Sequence, residues 1–357
     1  MSATMQTVAD AVGVSRSTVS NAYSRPDQMS AELRERVLAT ARELGYPGPN
    51  LAARSLRGGR VGAIGVLLTG TLSYALTDPY AIQFLQGLAE ETEKRATGLL
   101  LIPIMIDDDD AAASTVRNAV VDGYCAYCVP DWHPSLDAVR QRGLPIVFAE
   151  RRDDAEPDSR YVGIDERAAT VVAGRHLTQL GHRHVALVSD YLSKDASGGL
   201  ISLSAPEDVP YYVSRERLRG YRDALAEVGV PWSAVTTVNA VGNSRAAGEA
   251  AASYVLDRAP RPTAVIAITD LLALGVLDAL AARGLEPGRD VSVVGFDDIP
   301  DAARERLTTV RQPIVDTGRL VAGLLLDPPD DPADRQIVLP TELRVRASTG
   351  PAPERNS

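Results

Sequence analysis

Apolar positions along the chain follow one period up to about residue 44 and another from residue 60 onward. In the first region they recur at helical spacing. Met5, Val8, Ala9 and Val12 predict one buried stripe, and Gly13 ends that helix where a residue without Cβ turns cheaply. Val14 faces back into the same core. Ser15 is placed to cap a second helix, about Arg16 to Tyr23, with Val19 and Ala22 on its inner side. Ser24-Arg25-Pro26-Asp27 reads as a loop. Ser30 then caps a third helix, about Ala31–Leu44, with the stripe Leu33, Val37, Ala41 and Leu44 and with Glu32 near its positive end. Three short helices of this kind share one small core.

From Arg60 the pattern becomes strand, helix, strand. Near-continuous apolar runs predict strands at 60–68, 98–106, 123–129 and 145–149, with helices at 80–96, 111–121 and 134–142 between them. A second series begins with YVGID near Tyr161. It continues with a helix at 166–180, a strand at 184–189, a long loop at 190–213 and a helix at 214–228. Strands at 235–239, 264–269 and 291–296 and helices at 244–257 and 271–283 complete it. Strands apolar throughout indicate parallel sheet covered on both faces. Two such halves predict two lobes, with a cleft beyond the carboxyl ends of the strands. The expected organisation is therefore an all-α head at 1–49, a hinge and linker at 50–59, a two-lobed α/β domain at 60–346 and a tail at 347–357. In the hinge, Pro49 suits a helix start and Gly58 a helix end, but so short a helix orders only against a partner.

A length of 357 residues, 45% hydrophobic and 24% charged, suits a globular protein of two or three domains. No apolar run approaches the ~20 residues that span a bilayer, and the N-terminus has no signal-peptide pattern, so the expectation is a cytoplasmic protein without a membrane partner. Net charge is −10, unevenly spread: residues 1–60 carry +3 and the remainder −13. A basic head on an acidic body directs only the head toward phosphates.

This changes the meaning of the second helix. Its outer side presents Arg16, Ser17, Ser20 and Asn21, hydrogen-bonding groups suited to base edges and phosphates. A helix-turn-helix that docks in a DNA major groove has this design; a plain helical hairpin with a polar face is the alternative. Other chemistry finds little support. Cys125 and Cys128 form a lone C-x-x-C in what reads as a buried strand, where residues three apart face opposite ways, and no second pair completes a zinc site. His182 and His184 lie two apart on one strand face without an evident third ligand. G-x-G-x-x-G, G-x-x-x-x-G-K-[ST] and G-x-S-x-G are absent, which argues against an enzyme. No metal or cofactor is expected.

Seven stretches then resemble, in order, the transcriptional regulators of the lactose/galactose repressor (LacI/GalR) family. They are TVADAVGVSRSTVS (7–20), RELGYPGPNLAARSL (42–56), GRHLTQLGHRHVALVS (174–189), ITDLLALGVLDAL (268–280), DVSVVGFDDIP (290–300), LTTVRQP (307–313) and LPTELRVRASTG (339–350). The resemblance implies a helix-turn-helix head, a hinge helix and a periplasmic-binding-protein-like effector domain of parallel sheets. The chain would cross between lobes three times, near 161–164, 291–298 and 322–335. The N-lobe would hold about 61–160 plus 296–323, and the C-lobe about 163–291 plus 335–346.

It also implies a double-stranded, near-palindromic DNA operator, a homodimer and a small-molecule effector, a sugar or a related metabolite, in a repressor. Carried over by motif, Arg16, Ser17 and Asn21 would read bases, while Thr4, Ser15, Thr18, Ser20, Asn50, Ala53 and Arg54 would hold the backbone. Leu56 would wedge into the minor groove. For the effector the resemblance gives Glu150, Arg217, Thr269 and Asp297, with Asp270 expected to cap the helix from Leu271. Tyr74 and Tyr80 would border the cleft and stack on a ring, with Tyr191, Tyr211 and Tyr212 adding to its wall. Ile314 stands where several members carry an aromatic. The absence of leucine heptads after residue 346 implies a dimer without a tetramer-forming tail. The competing class, a solute-binding protein of the same fold, would need a signal peptide and no head.

Overall fold

The structure, a computed structural model, describes residues 3–24, 28–46, 48, 61–105, 108–151, 159–192 and 198–354. The chain falls into two compact units, a small one of residues 1–62 with 120–122 and a large one of residues 63–119 with 123–357.

The small unit contains α1 (Met5–Val12), α2 (Arg16–Ser24) and α3 (Ala31–Glu43). Thr4 and Thr7 close a capping box at the start of α1, and Gly13 ends it with φ 77°, a left-handed conformation that costs a glycine nothing. Ser15 caps α2 by accepting from the Thr18 N–H at 3.1 Å, and Ser30 caps α3 by accepting from the Leu33 N–H at 3.2 Å. Val8, Ala9, Val19, Ala22, Val37 and Ala41 meet in the core. Leu44, expected in the third stripe, is exposed; α3 has ended, and Tyr46 packs into the core instead. The proposed hinge at 50–59 lies outside the described residues.

The large unit begins with β1 (Ala63–Thr69), α4 (Leu72–Ala75), α5 (Pro79–Glu93), β2 (Gly98–Ile104), α6 (Asp109–Asn118), β3 (Gly123–Tyr127), α7 (Pro134–Arg142), β4 (Ile146–Phe148) and β5 (Tyr161–Ile164). It continues with α8 (Glu166–Gln179), β6 (Val185–Ser189), β7 (Gly199–Ile201), α9 (Tyr212–Ala226), β8 (Thr236–Asn239), α10 (Arg245–Leu256), β9 (Ala264–Ala267), α11 (Asp270–Ala281) and β10 (Ser292–Asp297). The last elements are α12 (Pro300–Arg304), β11 (Thr308–Arg311), α13 (Ile314–Leu326), β12 (Gln336–Leu339) and β13 (Glu342–Arg344).

Two sheets organise this unit, in the orders β12-β5-β4-β3-β1-β2 and β13-β11-β10-β9-β6-β8-β7. All neighbours are parallel except the outer pairs β11–β13 and β7–β8. Helices cover both, so the central strands are buried and apolar. Val66, Leu68, Val147 and Val162 pack on Phe84, Leu88 and Val321 in the N-lobe. In the C-lobe, Leu187, Ile266 and Val293 pack on Leu177, Val255 and Leu274. Among the described residues no helix is long and apolar enough to cross a membrane.

Between described strands and helices the chain passes from lobe to lobe three times, but two passages come later than the resemblance implied. The first follows β5. The second falls after β11, not at 291–298. There β10 continues unbroken to Asp297 and pairs with β11 (Val294 beside Thr308), so 296–311 belongs to the C-lobe and only α13 returns to the N-lobe. The third falls after β12, not at 322–335: Gln336–Leu339 pairs with Tyr161–Ile164 in the first sheet, and β13 alone joins the second. Nor is the segment from 347 a free tail. Ser348 is buried and donates to the Val293 carbonyl at 2.7 Å, and the Gly350 carbonyl accepts from His182 Nε2 at 3.0 Å. His182 is thereby held in the C-lobe packing, its Nδ1 3.0 Å from Thr263 Oγ1, whereas His184 is half-buried with its Nδ1 3.0 Å from the Arg261 carbonyl.

Candidate functional site

The C-terminal ends of strands in both sheets face one cavity of about 350 Å³. Its N-lobe wall comes from Thr69 and Gly70 after β1, Tyr74 on α4, Asp78 and Tyr80 at the start of α5, Met105 after β2, and Tyr127 and Cys128 at the end of β3. The C-lobe contributes Asp190 and Tyr191 after β6, Tyr211, Ser214 and Arg217 around the start of α9, and Asn243, Thr269 and Asp297 after β8, β9 and within the end of β10. Such a place, walled by aromatic rings with a few convergent polar groups, is where this architecture binds small molecules.

Five expected residues, Tyr74, Tyr80, Arg217, Thr269 and Asp297, come together here. Two do not line the cavity. Ile314 starts α13 and is buried in the N-lobe core. Glu150 is buried behind the wall, its Oε2 3.5 Å from the Tyr211 hydroxyl. Tyr191 and Tyr211 line the cavity, but Tyr212, the first residue of α9, is buried and turned to Arg215. The cap of α11 is Thr269, which accepts from the Leu272 N–H at 3.3 Å. Asp270, expected there, is fully buried, accepting from the Ile299 N–H at 3.0 Å and the Thr309 hydroxyl at 2.6 Å.

Asp78, Asp190, Ser214 and Asn243 were not foreseen in the wall. The signal available for Asp190 and Asn243 was position alone, a polar residue just past an apolar strand. Cys128, read as part of a buried strand, lies one residue beyond β3 with φ 55°. Of the non-glycine residues with positive φ among the described residues, Cys128, Tyr191 and Asp297 line the cavity. Backbone strain thus concentrates where side chains must be aimed.

Arg217 is the best-anchored group. Its Nε donates to Glu166 Oε2 at 2.7 Å, one Nη donates to the Ile268 carbonyl at 2.8 Å, and the guanidinium lies 3.7 Å from the Phe296 ring centroid. Burial opposes its charge, but Glu166 and Asp297 more than offset this and hold it protonated. Burial raises the Glu166 carboxyl, and Arg217 pulls it back; with the two groups in contact the pair is ionic. Gly220 permits this arrangement: a Cβ there would run into Thr170 Oγ1 and the Arg167 carbonyl, so α9 lies directly on α8 and Arg217 reaches Glu166.

The carboxyls behave differently. Burial pushes Asp190 up to about 6 and raises Asp78. Asp297 is raised well above its ordinary value by burial, with Arg217 pulling it down and Asp270 and Asp78 pushing it further up.

Three polar links cross the cavity. Asn243 Nδ2 donates to the Tyr74 hydroxyl at 2.9 Å, and Asn243 Oδ1 accepts from the Thr269 hydroxyl at 2.6 Å. The Tyr80 hydroxyl donates to Gln312 Oε1 at 3.0 Å, and Gln312 Nε2 donates to Asp297 Oδ1 at 2.8 Å. Tyr211 reaches toward Glu150 across the third.

In the head, Arg16 and Ser17 are exposed on α2, Ser20 and Asn21 are half-buried there, and Thr4 is exposed at the start of α1. The Ser15 hydroxyl is 2.6 Å from that of Ser17 and 2.8 Å from that of Thr18, which fixes the start of α2. Asn50, Ala53, Arg54 and Leu56 lie outside the described residues.

A helix-turn-helix head joined to a two-lobed binding domain is the architecture of a DNA-binding transcriptional regulator. The comparisons agree. A model of bacterial regulatory proteins of the lacI family matches residues 4–50, and a periplasmic binding protein-like domain matches residues 175–349. An HTH-type transcriptional regulator of Mycolicibacterium smegmatis is 39% identical over 355 residues, 98% of this chain and 97% of that protein. Among solved structures, the transcriptional regulator CelR in complex with cellobiose is 28% identical, with TM-score 0.66, covering 97% of this chain and 99% of that one. The lac repressor dimer bound to operator and the anti-inducer ONPF is 25% identical, with TM-score 0.76, covering 98% and 99%. The chain belongs to the lacI family of bacterial regulatory proteins and is a transcriptional regulator, not an enzyme.

Proposed function

We propose that this protein is a dimeric repressor whose operator affinity is set by a small polyhydroxylated effector bound between the lobes of its large unit. The observation that carries the reading is the cavity itself. Its volume of about 350 Å³ fits a compact metabolite, and both lobes supply its polar groups, so occupancy bears on the angle between them. The neighbours favour a sugar: CelR is seen with cellobiose, and a LacI family regulator of Enterococcus faecium with ribose. On DNA, Arg16, Ser17 and Asn21 read base edges, Thr4, Ser15, Thr18, Ser20, Asn50, Ala53 and Arg54 position the head on the backbone, and Leu56 enters the minor groove of a near-palindromic operator.

A thermal-shift screen of sugars and related metabolites tests this reading, since a ligand at 100 times its Kd stabilises the native state by about 2.7 kcal/mol. Hits are then added to the protein on promoter DNA. A compound that binds the cleft and changes operator affinity severalfold supports the reading. If every cleft ligand leaves operator affinity unaltered, the cavity is not an effector site.

A further inference from the structure

The one cation in the cavity wall among the described residues has a partner that no sequence signal indicated. Arg217 is held by Glu166, the first residue of α8, and both side chains are 7% exposed. The N-terminal end of a helix favours an acid at that position, and the bare Gly220 lets the two helices approach closely enough for the pair to form. With Nε on Glu166, one Nη on the Ile268 carbonyl and the plane against Phe296, the Nε edge of the guanidinium fork is closed to a phosphate or carboxylate and its charge is already paired. Among the described residues no other Arg, Lys or His lines the cavity, whereas Asp78, Asp190 and Asp297 all do.

We propose that Glu166 sets the charge specificity of the cleft: by occupying Arg217 it confines the cavity to uncharged polyhydroxylated compounds and bars their phosphorylated and carboxylated counterparts. This rests on the reading of the cleft as the effector site and narrows the class of effector. An anion entering the cavity meets three carboxyls and a cation whose charge is already paired, so nothing in the wall repays the hydration it gives up. A neutral polyol brings hydroxyl donors that the carboxyls accept, and its C–H faces lie on tyrosine rings such as Tyr80, Tyr127 and Tyr191. Glu166 touches Arg217 and does not itself line the cavity; it acts by positioning.

The full-length protein and its Glu166→Gln variant are compared by thermal shift and calorimetry. The probes are inorganic phosphate, the pairs ribose and ribose 5-phosphate and glucose and glucose 6-phosphate, and glucuronate. The wild-type protein is expected to show no saturable binding of phosphate, and to bind no phosphorylated or carboxylated sugar more tightly than its neutral parent. Glu166→Gln keeps the shape and one hydrogen bond but releases the charge. It is expected to bind phosphate at least about tenfold more tightly than wild type, and the gain is expected to vanish in the double variant with Arg217→Ala. If Glu166→Gln does not fold, Glu166→Asp, which withdraws the carboxylate by one methylene, is expected to show a smaller gain. Wild-type preference for an anionic sugar over its neutral parent, or no phosphate gain in the folded variants, overturns the proposal. The effector reading fails separately, when a neutral sugar binds the cleft and operator affinity does not change.

Discussion

Replacing Asp190 with Asn should make the protein more stable at neutral pH while removing effector binding. Asp190 follows β6, lines the cavity and is buried, and burial raises its carboxyl from 3.8 to about 6. The folded chain therefore keeps this proton to a higher pH than the unfolded chain does. Below about pH 4 both states are protonated and the residue is neutral to stability; as pH climbs through 6 the folded state must ionise a buried group, and stability falls. At about 1.36 kcal/mol per unit, the penalty reaches about 3 kcal/mol by pH 7. Asn has nearly the same shape and no charge to desolvate. The difference between the two proteins should thus grow from a few tenths of a kcal/mol near pH 4 to about 3 kcal/mol at pH 7, or a rise of about 6 °C in the melting of the large unit. Calorimetry of both proteins across pH 4–8, with the difference taken at each pH, isolates this group because the other titrations cancel. A difference that does not change with pH, or a variant less stable than wild type at pH 7, would refute the burial argument. A variant that is stabilised yet still binds effector normally would show that the carboxylate is not retained for the ligand.

Three further changes probe other links. Arg217→Ala leaves Glu166 buried without its partner and should cost about 3–5 kcal/mol in the large unit, with loss of the effector response; a melt within 1 kcal/mol of wild type, on the order of a surface substitution, would deny that the pair is buried in solution. Gly13→Ala puts a Cβ on a residue at φ 77° and should destabilise the head by about 1 kcal/mol, lowering operator affinity without moving the melting of the large unit. Leu56→Ala should weaken specific operator binding while effector binding stays intact; unchanged operator affinity in a gel-shift titration removes the hinge role.

The parts of this protein that the sequence makes legible are those that local chemistry decides. The turn at Gly13, the caps at Ser15 and Ser30 and the apolar stripe of α1 each rest on residues within a few positions of one another. The strands from β1 to β10, apart from the short edge strand β7 inside what reads as a loop at 190–213, are legible because burial on both faces demands apolar runs. Beyond β10 that signal fails. β11, β12 and β13 are three or four residues long and mix Thr, Arg, Gln and Glu with their apolar positions, so their lobe is fixed by pairing with distant strands and not by composition. The cap of α11 shows the same limit. Thr269 and Asp270 are both competent to cap; Thr309, thirty-nine positions from Asp270, decides between them by holding the Asp270 carboxyl in the core. The cleft was legible where a motif marked it, as at Arg217 and Asp297, and not at Asp78, Asp190 or Glu166, which carry no local pattern and acquire a role only when two sheets bring them to one place.

That arrangement also accounts for how a ligand in the cavity can be felt elsewhere in the large unit. Rotation of one lobe against the other must be absorbed where the chain passes between them, and two of those passages are tied to the cavity wall. The passage after β5 runs into Asp165, which caps α8 by accepting from the Ala168 N–H at 2.9 Å, and so fixes the neighbouring Glu166 that holds Arg217. The passage after β11 carries Gln312, bonded on one side to Tyr80 of the N-lobe and on the other to Asp297 of the C-lobe. Asp297 and Asp298 are both held at positive φ, 124° and 58°, and Arg346 pairs with Asp298 at 2.6 Å. A strained backbone that persists only because its side chains are bonded is sensitive to those bonds. A ligand hydroxyl that takes Asp297 from Gln312 therefore alters the inter-lobe link as it binds. A ligand that binds both lobe arrangements equally well fills the cavity without shifting the lobes, however tightly it binds, because only a difference in affinity between the two arrangements moves their equilibrium.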